Sequence, residues 1–114
     1  MKKPLVITLC GSTKFKDEFL EWDRKLTLAG AIVLKPGVFH HSGDAMSDAQ
    51  KTELDKLHKH KILMSDLVFV INKDNYMGES TCSEIDFANM LDIPVILCYN
   101  NNIENNDEIK EILE

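Results

Sequence analysis

"SDLVFVINKDNYMGESTCSEIDFANMLDIPVILCY", residues 65–99, decides the fold. It opens on a continuous apolar run, "LVFVI" (67–71). A polar loop follows, then a helix-like stretch over 81–91, and then a second apolar run, "PVILCY" (94–99). Two strand-like runs joined through a helix cannot close as a hairpin. They read as parallel neighbours with a crossover between them. Neither run alternates apolar with polar, so both belong to a sheet covered on its two faces.

Working outward, "LVITLC" (5–10) is a third run of the same kind and "AIVLK" (31–35) a shorter fourth. Phe15, Phe19, Trp22 and Leu26 repeat at helical spacing between them, and Gly30 ends that stretch. Residues 48–64 form the next helix, with Leu54, Leu57 and Met64 expected on its inner side. A short last helix over 105–114 has Ile109, Ile112 and Leu113 as its only anchors. Alternation of this kind implies an α/β fold. The expectation is one small flavodoxin-like three-layer sandwich over residues 1–114. Its mostly parallel sheet should hold four to five strands, in the order 2-1-3-4.

With 114 residues, 44% of them hydrophobic and 28% charged, the chain suits one folded domain with a modest core. A net charge of −6 argues against a nucleic-acid polymer as partner, since phosphate contacts need clustered Lys and Arg. Lys56, Lys59 and Lys61 come close to a cluster but are interrupted by Glu53 and Asp55. Cys10, Cys82 and Cys98 are odd in number and lack CxxC spacing, so a reducing, cytoplasmic setting is expected. The first apolar run is too short for a signal sequence, and no run reaches membrane-spanning length.

Open α/β sheets hold ligands beyond the C-terminal ends of their strands, where the strand order reverses. Three loops meet that criterion. "CGSTK" (10–14) follows the first strand. Gly11 allows close approach to its backbone, Ser12 and Thr13 offer hydroxyls, and the next helix offers free N–H groups. An ordinary strand-to-helix turn with a Ser or Thr cap explains the same residues, and the phosphate-loop pattern is absent. "NKDNYMGEST" (72–81) follows the third strand. The 36–47 segment, "PGVFHHSGDAMS", is expected to border the site. His40 and His41 in it invite a metal reading, but no HxxxH or HExxH pattern supports one, and no metal or cofactor is expected.

Thr81-Cys82-Ser83-Glu84 also reads as a capping box, in which Thr81 bonds a backbone N–H at the helix start and Glu84 reaches back. Glu84 is therefore a cap, a catalytic group, or both. His58 lies four residues after Leu54, at the edge of the apolar face or pointing toward the ligand loops, and His60 faces solvent. Met64, Met77 and Met90 read as packing residues. Cys10 and Cys82 read as small buried residues near the site, with no base evident beside either.

Together, "CGS" after the first strand, "SDLVFVI", a Gly-bearing loop and "SEIDFANMLDIPVILCY" resemble the nucleoside 2-deoxyribosyltransferase superfamily, which includes deoxyribonucleoside 5′-monophosphate N-glycosidases. The resemblance covers roughly residues 5–99. Its most specific piece is E-[IL]-x-[FY]-A, here Glu84-Ile85-Asp86-Phe87-Ala88. It implies that Glu84 is a nucleophile that attacks C1′ of the sugar, forming a glycosyl-enzyme intermediate resolved by water or an acceptor base. A place in the first helical turn would keep the carboxylate ionised.

The resemblance further implies that Cys10, Gly11 and Ser12 border the sugar or phosphate, with Lys14 adding charge for a 5′-phosphate. Gly78, Ser80 and Thr81 would complete this wall. Two departures stand out. His58 occupies a position where the family often has an acidic residue, and an imidazole can still donate a hydrogen bond there. The loop before the glutamate reads "GESTCSE" where the family is richer in glycine. It brings Glu79 as a second carboxylate, for a hydroxyl contact or acid–base work, or merely solvated.

The expected partner is a small nucleoside or nucleotide, with hydrolysis favoured over transfer. A homodimer or larger is expected too, because the family's transferases complete their sites with a neighbouring subunit's C-terminal residues. The asparagines of "YNNNIENN" offer candidates, none assigned. The alternative is a non-catalytic nucleotide-binding or sensor module of the same fold.

Overall fold

A computed structural model describes residues 3–39, 45–99 and 106–113. His40, His41 and the asparagines within 100–105 lie outside them. The elements run β1 (Val6–Gly11), a 3-10 turn (Thr13–Phe15), α1 (Lys16–Leu28), β2 (Ile32–Leu34), α2 (Asp48–Leu63), β3 (Leu67–Ile71), a second 3-10 turn (Lys73–Asn75), α3 (Glu79–Met90), β4 (Val95–Leu97) and α4 (Asn106–Leu113). The described strands form one sheet of four, in the order β2-β1-β3-β4, and every pairing is parallel. The expected α/β architecture, its flavodoxin-like layering and its strand order are all present.

Side chains alternate across the two central strands. Ile7, Leu9, Leu67, Phe69 and Ile71 face α1 and α4, where they pack with Phe19, Trp22, Leu26 and Ile109. Cys10, Val68 and Val70 face the other way, against Ile62 of α2 and Ala88 of α3. Helices on both faces leave β3 buried along its whole length, as its uninterrupted apolar run requires. The edges differ from expectation: β2 and β4 are only partly covered, and Ile32 is 49% exposed.

Local sequence places the helix ends. α1 stops at a Schellman turn, in which Gly30 N–H bonds the Thr27 carbonyl at 3.0 Å and Ala31 N–H bonds the Leu26 carbonyl at 3.1 Å. Gly30 takes φ +101 there, which a residue with a Cβ resists. α2 starts at a complete capping box between Ser47 and Gln50.

The inner face of α2 is not the expected one. His58 and Ile62, four residues apart, are the buried positions, while Leu57 is 52% and Met64 67% exposed. Met64 is the C-cap of the helix, one residue beyond its last turn. Met77 and Met90 are exposed as well, so none of the three methionines packs in the core. No helix among the described residues is long and apolar enough to cross a membrane.

Candidate functional site

β1 and β3 lie side by side at the centre of the sheet, and the chain leaves them toward opposite faces. Their C-terminal ends therefore flank the point where strand order reverses, and a cavity of about 410 Å³ opens there. Gly11, Ser12 and Thr13 form one wall, and Gly78, Glu79, Ser80 and Thr81 another. Pro36, Gly37, Val38 and Met46, from the described parts of the 36–47 segment, border it as expected. α2 closes the remaining side with Asp55, Leu57, His58 and Lys61 among others.

Gly11 is required where it stands. Its φ is +148, and an added Cβ would lie 2.7 Å from the Ile71 carbonyl oxygen. The loop after β1 thus passes against the end of β3 with no room for a side chain. Beyond β3, the buried Asn72 ties the next loop down, its Oδ1 accepting the Tyr99 N–H at 3.1 Å. Ser12 caps the following 3-10 turn by accepting the Lys14 N–H at 3.3 Å, so the ordinary capping role holds alongside its place in the wall.

Glu84 is not a cap. α3 begins at Glu79 with Gly78 as its N-cap, so Thr81 lies inside the first turn and Glu84 in the second. Both are buried and face the cavity. The capping-box reading fails because the helix starts two residues before Thr81. The same shift removes the expected electrostatic support, since a helix terminus acts mainly within its first turn. Burial instead dominates and pushes the Glu84 carboxyl up to about 7. The Cys10 thiol opposes this, the charge of Asp55 adds to it, and Lys59 opposes it. Glu84 Oε2 has no hydrogen-bond partner.

Beneath the cavity, Cys10, His58 and Glu84 come together from β1, α2 and α3. Cys10 Sγ is 3.4 Å from His58 Nε2, and His58 Nε2 is 3.8 Å from Glu84 Oε2. All three ligand atoms lie within 4.8 Å of one another. The His58–Glu84 contact resembles an ion pair in distance but not in charge. Burial lowers His58 to about 4, with Lys61 adding to the effect, and raises Glu84 to about 7. Between those values both groups are neutral. Burial likewise holds the Cys10 thiol well above its ordinary range, with the Glu84 charge adding to it. A base does stand beside Cys10, contrary to expectation, but burial keeps the sulfur protonated. Cys82 is exposed, at odds with its reading as a small buried residue.

Lys14 stays outside the cavity wall. Its Nζ lies 3.3 Å from the centroid of the Tyr76 ring, and Tyr76 itself lines the cavity. The cations that do line it are Lys51 and Lys61, though Lys61 Nζ already donates to the Lys35 carbonyl at 2.8 Å. Sequence reasoning missed Lys51, Asp55, Lys61 and Tyr76. For α2 the signal existed: His58 and Lys61 are three apart and Lys51, Asp55 and His58 share one side of a helix. Tyr76 stood in a loop already singled out.

Fold and site together define an open parallel α/β protein with a ligand-sized cavity at its topological switch point and a buried carboxylate beneath it. No family model matches the chain, and no curated protein matches it at a significant level.

Proposed function

We propose that this protein breaks the N-glycosidic bond of a nucleoside or nucleoside 5′-monophosphate, with Glu84 as the nucleophile. The observation that carries the reading is the position of Glu84. Its carboxyl is buried, one oxygen is unpartnered, and it faces a cavity of about 410 Å³ at the strand-order reversal. That volume falls within the roughly 300–1,000 Å³ usual for small-ligand pockets. The resemblance of 5–99 to the nucleoside 2-deoxyribosyltransferase superfamily supplies the bond to be broken.

In this reading ionised Glu84 adds to C1′ as the C1′–N bond breaks. The base leaves with the bonding electrons and takes a proton from water. A second water then attacks C1′, releases the sugar and restores the carboxylate. Gly11, Ser12, Ser80 and Thr81 hold sugar or phosphate oxygens, and His58 offers an N–H to the sugar or the departing base. Lys51 and Lys61 supply positive charge within the cavity, while Lys14 supports Tyr76 from outside it.

The test is release of free base from a panel of nucleosides and 5′-monophosphates by the metal-free protein. Wild type should release base from at least one member, and Glu84→Gln should bind it but release none. Similar rates for the two proteins would remove Glu84 as nucleophile. Saturable binding with no release by either would favour the non-catalytic nucleotide-binding module.

A further inference from the structure

The geometry points to a binding site for a thiophilic divalent cation, zinc in the first instance, formed by Cys10, His58 and Glu84 and open to the cavity. The inference stands on the cluster itself and does not require the glycosidic reading.

Three donors of different chemistry converge from three elements: a thiol from β1, an imidazole from α2 and a carboxyl from α3. Tetrahedral zinc binds sulfur at about 2.3 Å and nitrogen or oxygen at about 2.0–2.1 Å, which sets neighbouring donors roughly 3.3–3.6 Å apart. The observed separations are 3.4 Å for Sγ to Nε2 and 3.8 Å for Nε2 to Oε2. Two edges of a coordination triangle are thus nearly in place, and the third, within 4.8 Å, closes by side-chain rotation.

A second observation is independent of the spacing. His58 is 6% and Glu84 9% exposed, and each keeps a buried polar atom without a partner, Nδ1 and Oε2. Buried polar groups are normally satisfied. A cation held by Glu84 Oε2, His58 Nε2 and Cys10 Sγ satisfies Glu84 Oε2. Charge agrees as well. One thiolate, one carboxylate and one neutral imidazole around a divalent ion sum to zero, which suits a buried setting better than either anion alone. The protons that burial holds on Cys10 and Glu84 are the ones the metal displaces.

The donor set selects the ion. A thiolate with an imidazole favours zinc over magnesium or calcium, which need several oxygen donors. Glu84 and His58 both line the cavity, so the fourth position faces it. Three protein donors with one open position is the arrangement of an exchangeable or catalytic site rather than a closed structural one. A carboxylate bound to zinc cannot also attack a sugar, so metal and glycosyl chemistry exclude each other at Glu84.

The experiment uses the full chain freed of metal and titrated with cobalt(II), then with zinc. Cobalt should bind one per chain and give a near-ultraviolet thiolate-to-metal charge-transfer band. Zinc should erase the band by displacement. Cys10→Ser should abolish it, Cys82→Ser should preserve it, and Glu84→Gln, which leaves the thiol in place, should weaken zinc binding at least tenfold. Absence of the band in wild type overturns the proposal, as does a band that survives Cys10→Ser or zinc affinity indifferent to Glu84→Gln. If metal-free protein releases base, saturating zinc should stop it and a chelator restore it. Release at full rate with zinc bound would overturn Glu84 as a ligand. A cobalt band with no base release under any condition supports the metal site and counts against the glycosidic reading alone.

Discussion

The two faces of the sheet differ in the size and polarity of the side chains they bury. Toward α1 and α4 the sheet presents Ile7, Leu9, Phe69 and Ile71, met by Phe19, Trp22 and Phe39. The rings interlock, Phe19 edge-on to Phe39 at 5.4 Å and Trp22 tilted against Phe69 at 6.0 Å. Toward α2 and α3 the same strands present Thr8, Cys10, Val68 and Val70. Small side chains let the helices approach with polar groups, so His58, Thr81 and Glu84 are buried on that side. One face supplies apolar burial. The other holds desolvated titratable groups, whose displaced pKa values mark functional sites more often than structural ones.

The largest expected effect tests the apolar face. Phe69→Ala should cost about 3–5 kcal/mol of unfolding free energy, the usual range for deleting a fully buried ring. Urea denaturation measures it, and a loss under about 1 kcal/mol would mean the aromatic face does not dominate stability.

Glu84 sharpens the comparison from the other face, in metal-free protein. Its carboxyl ordinarily titrates at 4.5 and in the fold at about 7. Between those values the folded state binds more protons than the unfolded one, so this group's contribution falls as pH rises through that window. At pH 8, Glu84→Gln should therefore be more stable than wild type, by up to about 3 kcal/mol. At pH 4 the difference should vanish. His58 has the opposite sign, from 6.5 ordinarily to about 4 in the fold, so its contribution is lost as pH falls through that window. A wild type equally stable relative to Glu84→Gln at pH 4 and pH 8 would contradict the burial of the carboxyl. Base release should track the ionised form, rising with pH and levelling above about 7.

A smaller loss tests the junction of the faces. Gly11→Ala forces a Cβ toward the Ile71 carbonyl at a φ of +148 and should cost about 1–3 kcal/mol, with reduced ligand affinity. A thermally unchanged variant would show that the β1 loop can relax away from β3. The smallest effect belongs to Lys14→Ala. An exposed cation–π contact contributes about 0.5–1 kcal/mol, and its loss should weaken nucleoside and 5′-monophosphate equally through Tyr76. Selective loss of the monophosphate, read by calorimetry, would return Lys14 to a direct phosphate role.

Element order, the parallel sheet and its 2-1-3-4 order were legible in the sequence because each rests on local periodicity and on crossover rules. Continuous runs such as "LVFVI" require cover on both faces, and helices between them supply it. The loops that line the cavity were legible for the same reason, since they follow the strands. Where apolar pattern was weak, local reading misplaced detail. α2 carries many charges and few apolar side chains, so the pattern points its leucines inward, where the fold instead buries His58 and Ile62. Thr81 and Glu84 match a capping box by spacing, yet Gly78 starts the helix earlier.

The sequence by itself determined which residues become strands and helices, because those choices depend on neighbours within a few positions. The tertiary structure alone decided what Glu84 is. Residues 10, 58 and 84 share no spacing rule, and only the packing of α2 and α3 over the end of β1 brings them within 4.8 Å. Removal from water, a property of the assembled fold and not of any segment, then turns an ordinary glutamate into a carboxyl that titrates near neutrality.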